Sequence, residues 1–199
     1  MVEIKKFNNR PNSHVKYYFS DEYHRVTSHD YWISRAVAVV GVIFAMTDIN
    51  SISVLITKRS SKMYDEAGKL GVPCGYLDWE ESCHDAMIRE VYEETSLYLP
   101  DYRKFLIFDN DKQPFRIKDN PNEDKRQNVS QLYVSVYDFR GNADKFPTEI
   151  EKYTCVETAW VKWLPLLEFY NTSVEQKWAF NHDETIKSAL QFYNKHFGE

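Results

Sequence analysis

From Ala36 to Met46 the chain runs 11 residues without a polar side chain. A membrane-spanning helix needs roughly 20 such residues. The run is rich in Val and Ile, so it reads as a buried strand and commits the chain to a sheet-based domain. Asp48-Ile49-Asn50 is a turn signal, and Ile52 to Lys58 returns as a second strand, so the pair reads as a hairpin. Residues 60–75 read as a polar loop ending in Val72-Pro73-Cys74-Gly75. Further strands are predicted at Phe105 to Phe108, Gln131 to Phe139 and Val156 to Trp163, with a long surface loop over 110–128. A closing helix spans Asn181 to Phe197, with Asn181 and Glu184 spaced as a capping box. Strands outnumbering helices argue for an α+β fold, a mixed β-sheet flanked by helices.

The 199 residues fit one domain of ordinary size plus a short appendage. Residues 1–33 read as an N-terminal arm or hairpin, and residues 34–199 as the main domain. The arm carries Tyr17, Tyr18, Phe19, Tyr23, Tyr31 and Trp32, rings that a free tail would expose, so it is expected to pack on the main domain. With 43% hydrophobic and 28% charged residues, a disordered or collagen-like chain is excluded. A net charge of −5 argues against duplex nucleic acid as a partner, because such binding runs on Lys and Arg neutralising phosphates. A small anionic substrate stays compatible where metal ions and local arginines supply positive charge. Cys74, Cys83 and Cys155 form no disulfide framework and no CxxC pair. Together with an N-terminus lacking an apolar signal core, this predicts a soluble, cytoplasmic protein without membrane association.

Residues 81–97 have a helical pattern. At about 100° per residue, Glu90, Glu93 and Glu94 share one face, with the small Ala86 beside them. Ile88, Val91, Tyr92 and Thr95 fall on the opposite face, expected to be buried. Three neighbouring carboxylates repel one another. Such a cluster is either a solvated acidic face or a site for a hard divalent cation, Mg²⁺ or Mn²⁺ and not Zn²⁺, since no Cys/His set accompanies it.

The spacing goes further. Gly75, Glu81, Arg89, Glu90, Val91, Glu93, Glu94 and Leu97 stand in the order glycine, five residues, glutamate, seven residues, Arg-Glu-apolar-x-Glu-Glu-x-x-apolar. This resembles the signature of the Nudix hydrolase family. Ser96 replaces a glycine of that pattern. If the helix end needs a positive φ there, serine costs about 1 kcal/mol. Val72-Pro73-Cys74-Gly75 resembles the family's Pro-Gly-Gly lead-in, Glu157 with Trp160 and Leu164-Pro165 its Glu…Trp…Leu segment, and Phe180-Asn181-His182 a Phe-Asp-His stretch of some subgroups. The likeness spans about residues 34–195.

The resemblance implies a Nudix-type α/β/α sandwich that hydrolyses the pyrophosphate bond of a nucleoside diphosphate linked to another moiety, of ADP-ribose, NADH or nucleotide-sugar type. Nucleoside triphosphates, capped RNA ends and a non-catalytic nucleotide sensor are the alternatives. It implies Glu90, Glu93 and Glu94 as ligands of Mg²⁺ (or Mn²⁺), with the Gly75 carbonyl as a further ligand, and Arg89 pairing with Glu81 to orient the helix. Glu93, Glu94 and Arg89 belong to the catalytic set. The general base lies in the box or on a later loop, with Glu157 first and Glu149 and Glu151 in reserve. Arg35 and Arg59 are candidate phosphate contacts. Tyr31, Trp32, Tyr76 and Trp79 are candidate stacking rings. His182 is expected to serve the helix start, and nothing marks Cys74 as a nucleophile. The arm would pair two subunits as a homodimer or cover the substrate.

Overall fold

The computed structural model describes residues 35–48, 51–120, 128–172 and 175–197, together with the backbone of 14–20 and 26–32. The chain divides into two compact units, Met1–Arg35 and Ala36–Glu199. In the first, β1 (His14–Ser20) and β2 (Val26–Trp32) form an antiparallel hairpin with His14 opposite Trp32. The packing expected of its rings lies outside the described residues.

The second unit is a mixed sheet. The apolar run becomes β3 (Val37–Asp48), the turn at 49–50 lies outside the described residues, and β4 (Ser51–Arg59) returns antiparallel. Then follow β5 (Leu70–Gly71), β6 (Cys74–Tyr76), helix α1 (Cys83–Thr95), β7 (Leu106–Asp109), β8 (Arg116–Lys118), β9 (Val129–Asp138), β10 (Thr158–Pro165), α2 (Leu166–Thr172) and α3 (His182–Phe197). The main path runs β10-β4-β3-β9-β7, with β5 on β4, β6 on β3 and β8 on β9. β3 and β9 pair in parallel over ten positions, from Val37–Val129 to Met46–Asp138, and the other pairs are antiparallel.

β3 is buried on both faces, which is why its sequence shows no alternation. Val39, Ile43 and Ala45 face α1, while Val40, Val42 and Phe44 face the side that carries α2 and α3. Gly41 is small for a reason of packing: a Cβ there would lie 3.0 Å from Met87 and 3.2 Å from Val91, so glycine lets α1 settle close to the sheet.

Several sequence expectations are corrected. The 60–75 loop contains β5, and the 110–128 loop contains β8, where Lys118 is buried and donates to Thr185 Oγ1 at 2.8 Å. Asn181 has φ 56°, outside the extended region of an N-cap, and Glu184 accepts from Lys187 at 2.7 Å. Tyr92 is 51% exposed, packing edge-on against Tyr98, although Val91 and Thr95 on either side of it are fully buried. Ala86 is fully buried in the core instead of bordering the acidic face. No helix among the described residues is long and apolar enough to cross a membrane.

Candidate active site

Helix α1 begins at Ser82, whose hydroxyl accepts the Asp85 amide at 3.1 Å and donates to the Asp85 carboxylate at 2.7 Å. It ends at Ser96, with φ 57° and ψ 10°, whose amide donates to the Tyr92 carbonyl at 2.7 Å. The departure from glycine in the box therefore falls on a left-handed helix end, as the family pattern anticipates.

Between these caps the acidic face divides. Glu90 is 9% exposed and Glu94 5%, whereas the Glu93 side chain is 55% exposed. Arg89 binds the acids together. Its Nε and Nη2 donate to the two Glu81 oxygens at 3.1 and 2.8 Å, its Nη1 to Glu90 Oε1 at 2.8 Å and to Glu93 Oε2 at 2.9 Å, and its Nη2 also to the Tyr76 carbonyl at 2.9 Å. Glu81 in turn accepts the Asp78 amide at 2.8 Å. One guanidinium thus ties α1 to the loop before it and to β6. The bonds to Arg89 hold the Glu81 carboxyl below the usual range and raise Arg89 itself further above its already high value.

Gly75 on β6 is required by close approach. A Cβ there would stand 2.0 Å from Glu90 Oε1, so the carboxylate occupies the space that any other side chain would fill. Burial pushes the Glu90 carboxyl up despite the opposing Arg89. Glu94 is pushed up to about 8, first by burial and then by Glu90, with Arg59 opposing and Glu157 adding to the rise. Thr57 Oγ1 donates to Glu94 Oε2 at 3.4 Å. Cys74 is no ready nucleophile: burial, and the charge of Glu94 beside it, push its thiol far up.

These groups open onto a cavity of about 570 Å³. Gly75, Glu90, Glu93, Glu94 and Glu157 line it together with Arg59, Tyr76, Cys74 and His182, so the structure brings most of the candidate residues to one place. Glu149 and Glu151 lie elsewhere, in the short helix Glu149–Lys152, where Glu151 accepts the Trp163 amide at 3.4 Å. Trp79 is 96% exposed and does not line the cavity. Arg35 is exposed and belongs to the first unit, and the side chains of Tyr31 and Trp32 lie outside the described residues. His182 is buried at the start of α3, with Nδ1 accepting the Val72 amide at 3.1 Å. Sequence reasoning missed Phe180, Asp78, Asn128 and Ser130 as cavity residues. The Phe-Asn-His stretch was a usable signal for Phe180. Asn128 and Ser130 reach the cavity only through the long-range β3–β9 pairing.

Among the described residues, no three acidic, His or Cys side chains already stand in coordinating geometry, since Glu90 and Glu93 are engaged with Arg89. The donor chemistry fits a hard dication. Glu157 and Glu93 add to the rise at Glu90, and Glu90 and Glu157 to the rise at Glu94, so carboxylate oxygens of like charge converge here, the donor type that a hard dication takes.

A mixed sheet between helices, with a carboxylate-rich helix beside a glycine, defines the class of protein. The sequence profile of the NUDIX domain matches residues 34–188. The chain belongs to the Nudix family and is a Nudix hydrolase. Solved structures share the fold. A mutT/nudix family protein from Listeria innocua is 21% identical, with TM-score 0.56 over 83% of this chain and 98% of that one. The NUDIX domain of Shewanella oneidensis NrtR, complexed with ADP ribose, is 20% identical, with TM-score 0.53 over 80% and 89%. The bifunctional NMN adenylyltransferase/ADP ribose pyrophosphatase from Francisella tularensis, complexed with AMP and a Mn ion, is 18% identical, with TM-score 0.53 over 79% of this chain and 41% of that one. No curated protein matches the chain in sequence.

Proposed function

We propose that the chain hydrolyses the pyrophosphate bond of a nucleoside diphosphate linked to a second moiety, in a Mg²⁺-dependent reaction. One observation carries the reading: a single cavity places Glu90, Glu93, Glu94 and Glu157 together with Arg59 and the Phe180 ring. Its volume suits a ligand of nucleotide size. Two of the structural relatives, complexed with ADP ribose and with AMP, favour the dinucleotide-like class over triphosphates.

Glu90, Glu93 and Glu94 would hold the cation, with the Gly75 carbonyl as a further donor. Bound dications supply neutralisation of the phosphate oxygens and a lower pKa for water. The chain's own residues do the rest. Arg59 offers its guanidinium to the phosphates. Arg89 orients the acids through Glu81 and stays off the substrate. Glu157, which lines the cavity and is exposed to solvent, takes the proton of the attacking water on its carboxylate. At net charge −5 the chain does not itself attract a nucleotide, so the positive charge falls to Arg59 and to bound cations.

The test is a panel of ADP-ribose, NADH, nucleotide sugars, nucleoside triphosphates and capped RNA with Mg²⁺, read by product mass in ¹⁸O-labelled water. Release of a nucleoside monophosphate from a diphosphate-linked substrate, abolished by EDTA, is expected. Turnover confined to triphosphates or capped ends would overturn the substrate class. Ligand-induced thermal protection without any turnover would overturn catalysis.

A further inference from the structure

Phe180 and Asn181 are consecutive non-glycine residues in the left-handed region, at φ 53° and φ 56°. L side chains seldom adopt this even singly. Such residues persist where their surroundings enforce them, and they gather at functional sites. Here the enforcement is visible. His182, the next residue, buries its imidazole and accepts the Val72 amide at 3.1 Å. It fits because Gly71 has no Cβ, which would stand 3.0 Å from His182 Nδ1. The Phe180 ring meets the imidazole edge-on at 5.4 Å. The turn is therefore pinned to the segment that leads into Gly75.

That pinning delivers the Phe180 ring to the cavity wall beneath Arg59, whose Cζ lies 5.1 Å from the ring centroid. Nε and Nη2 of Arg59 both donate to the Asp65 carbonyl at 3.2 Å. The guanidinium is thus held by a ring face and by a carbonyl at its edge. It is the single Lys or Arg among the described residues that line the cavity, facing a wall that includes four glutamates. A long arginine normally loses side-chain freedom when it closes on a phosphate, and a clamp that removes this freedom beforehand strengthens binding.

We propose that Phe180 is a positioning residue for phosphate recognition, laid under Arg59 by the left-handed turn so that the guanidinium is presented to the diphosphate of the substrate. The proposal rests on the nucleotide reading above. Because Arg59 occupies the ring face, Phe180 acts through Arg59 and not as a platform for the base.

The test is a double-mutant cycle of Phe180→Gly with Arg59→Gln, beside Phe180→Tyr. Glycine accepts the left-handed backbone, so it removes the ring without opposing the turn, and thermal unfolding checks that the fold survives. Kd for ADP with Mg²⁺ is read by calorimetry, and KM and kcat on the best substrate of the panel. Phe180→Gly is expected to raise Kd and KM about 5- to 30-fold, the range of a cation–π contact between its exposed and desolvated limits, with kcat within about two-fold. Phe180→Tyr keeps the ring face and restores most of the affinity. In the Arg59→Gln background, Phe180→Gly adds no further loss. Additive losses, unchanged Kd and KM in Phe180→Gly, or Phe180→Tyr as weak as glycine would each overturn the proposal while the nucleotide reading stands. A wild-type chain that binds and turns over no nucleotide removes both.

Discussion

The two faces of the central sheet are both apolar, and differ in what else they carry. On the α2/α3 face, Phe44, Val42, Val54, Leu132, Phe169 and Ile186 fill the space with bulk, and Phe115 and Phe192 extend the packing. On the α1 face the chain gives up bulk at Gly41 and Gly75 so that a helix carrying buried carboxylates can come close. Both faces bury apolar surface, worth about 25 cal/mol per Å² removed from water, the α1 face through Met87, Val91, Tyr133, Phe139 and Trp163. The α1 face in addition holds acids whose charged forms are disfavoured by that same burial. The difference teaches that the acids of α1 are carried by the apolar residues of the same helix and the sheet beneath it.

Four experiments sharpen or break this contrast. Phe44→Ala should lower stability by about 3–5 kcal/mol in urea unfolding, with KM unchanged, since Phe44 is fully buried and does not line the cavity. A comparable rise in KM would mean that the two faces are coupled.

Glu94→Gln should do the reverse. Turnover is expected to fall by at least ~100-fold, the loss that removing even an indirect metal partner can reach. Its metal-free stability should gain at neutral pH. Between the ordinary carboxylate value of 4.5 and about 8, the folded chain keeps a proton on Glu94 that the unfolded chain releases. Wild-type stability in EDTA therefore falls as pH rises across that window, and the glutamine variant should lack this part of the slope. Identical pH profiles would show that Glu94 is not strained by burial.

His84 tests an ion pair on the α1 face. Its Nε2 lies 3.1 Å from Asp109 Oδ2, and this bond raises its pKa above 6.5. The contribution is complete below pH 6.5 and is lost as pH rises through the folded value. His84→Gln should remove about 1 kcal/mol at pH 6 and progressively less at alkaline pH, measured by chemical unfolding. An equal loss at every pH would assign the effect to shape.

The smallest effect belongs to Ser96→Gly. Glycine at φ 57° should stabilise by up to about 1 kcal/mol, seen as a modest rise in Tm. A fall in Tm would contradict the left-handed helix end.

What was legible in the chain was legible for physical reasons. β3 announced itself because a strand covered on both faces needs no polar positions. The box was readable because Arg89, Glu93 and the buried pair Glu90 and Glu94 obey helical spacing, and Gly75 precedes them at a fixed interval. β8 was hidden because Arg116-Ile117-Lys118 is polar and acquires strand character from pairing with Leu132, Gln131 and Ser130, far away in sequence. Tyr92 was misread because a helical wheel groups it with the buried Val91 and Thr95, whereas its ring lies at the margin of that face against Tyr98. Phe180 reached the site by a backbone conformation that no propensity favours. The engagement of Arg89 with Glu90 was not foreseen, because adjacent residues point apart on a helix; a long guanidinium spans the gap.

The Arg89 network has a consequence for how the molecule comes into being. Acids that had to await a dication for counterbalance would keep α1 from settling during synthesis. Here the chain brings its own counterion, joined to three glutamates and a carbonyl. If the chain holds the dication proposed above, folding and loading are therefore separable steps. Loading would then be an exchange in which the incoming ion takes Glu90 and Glu93 over from the Arg89 guanidinium, with the scaffold already folded.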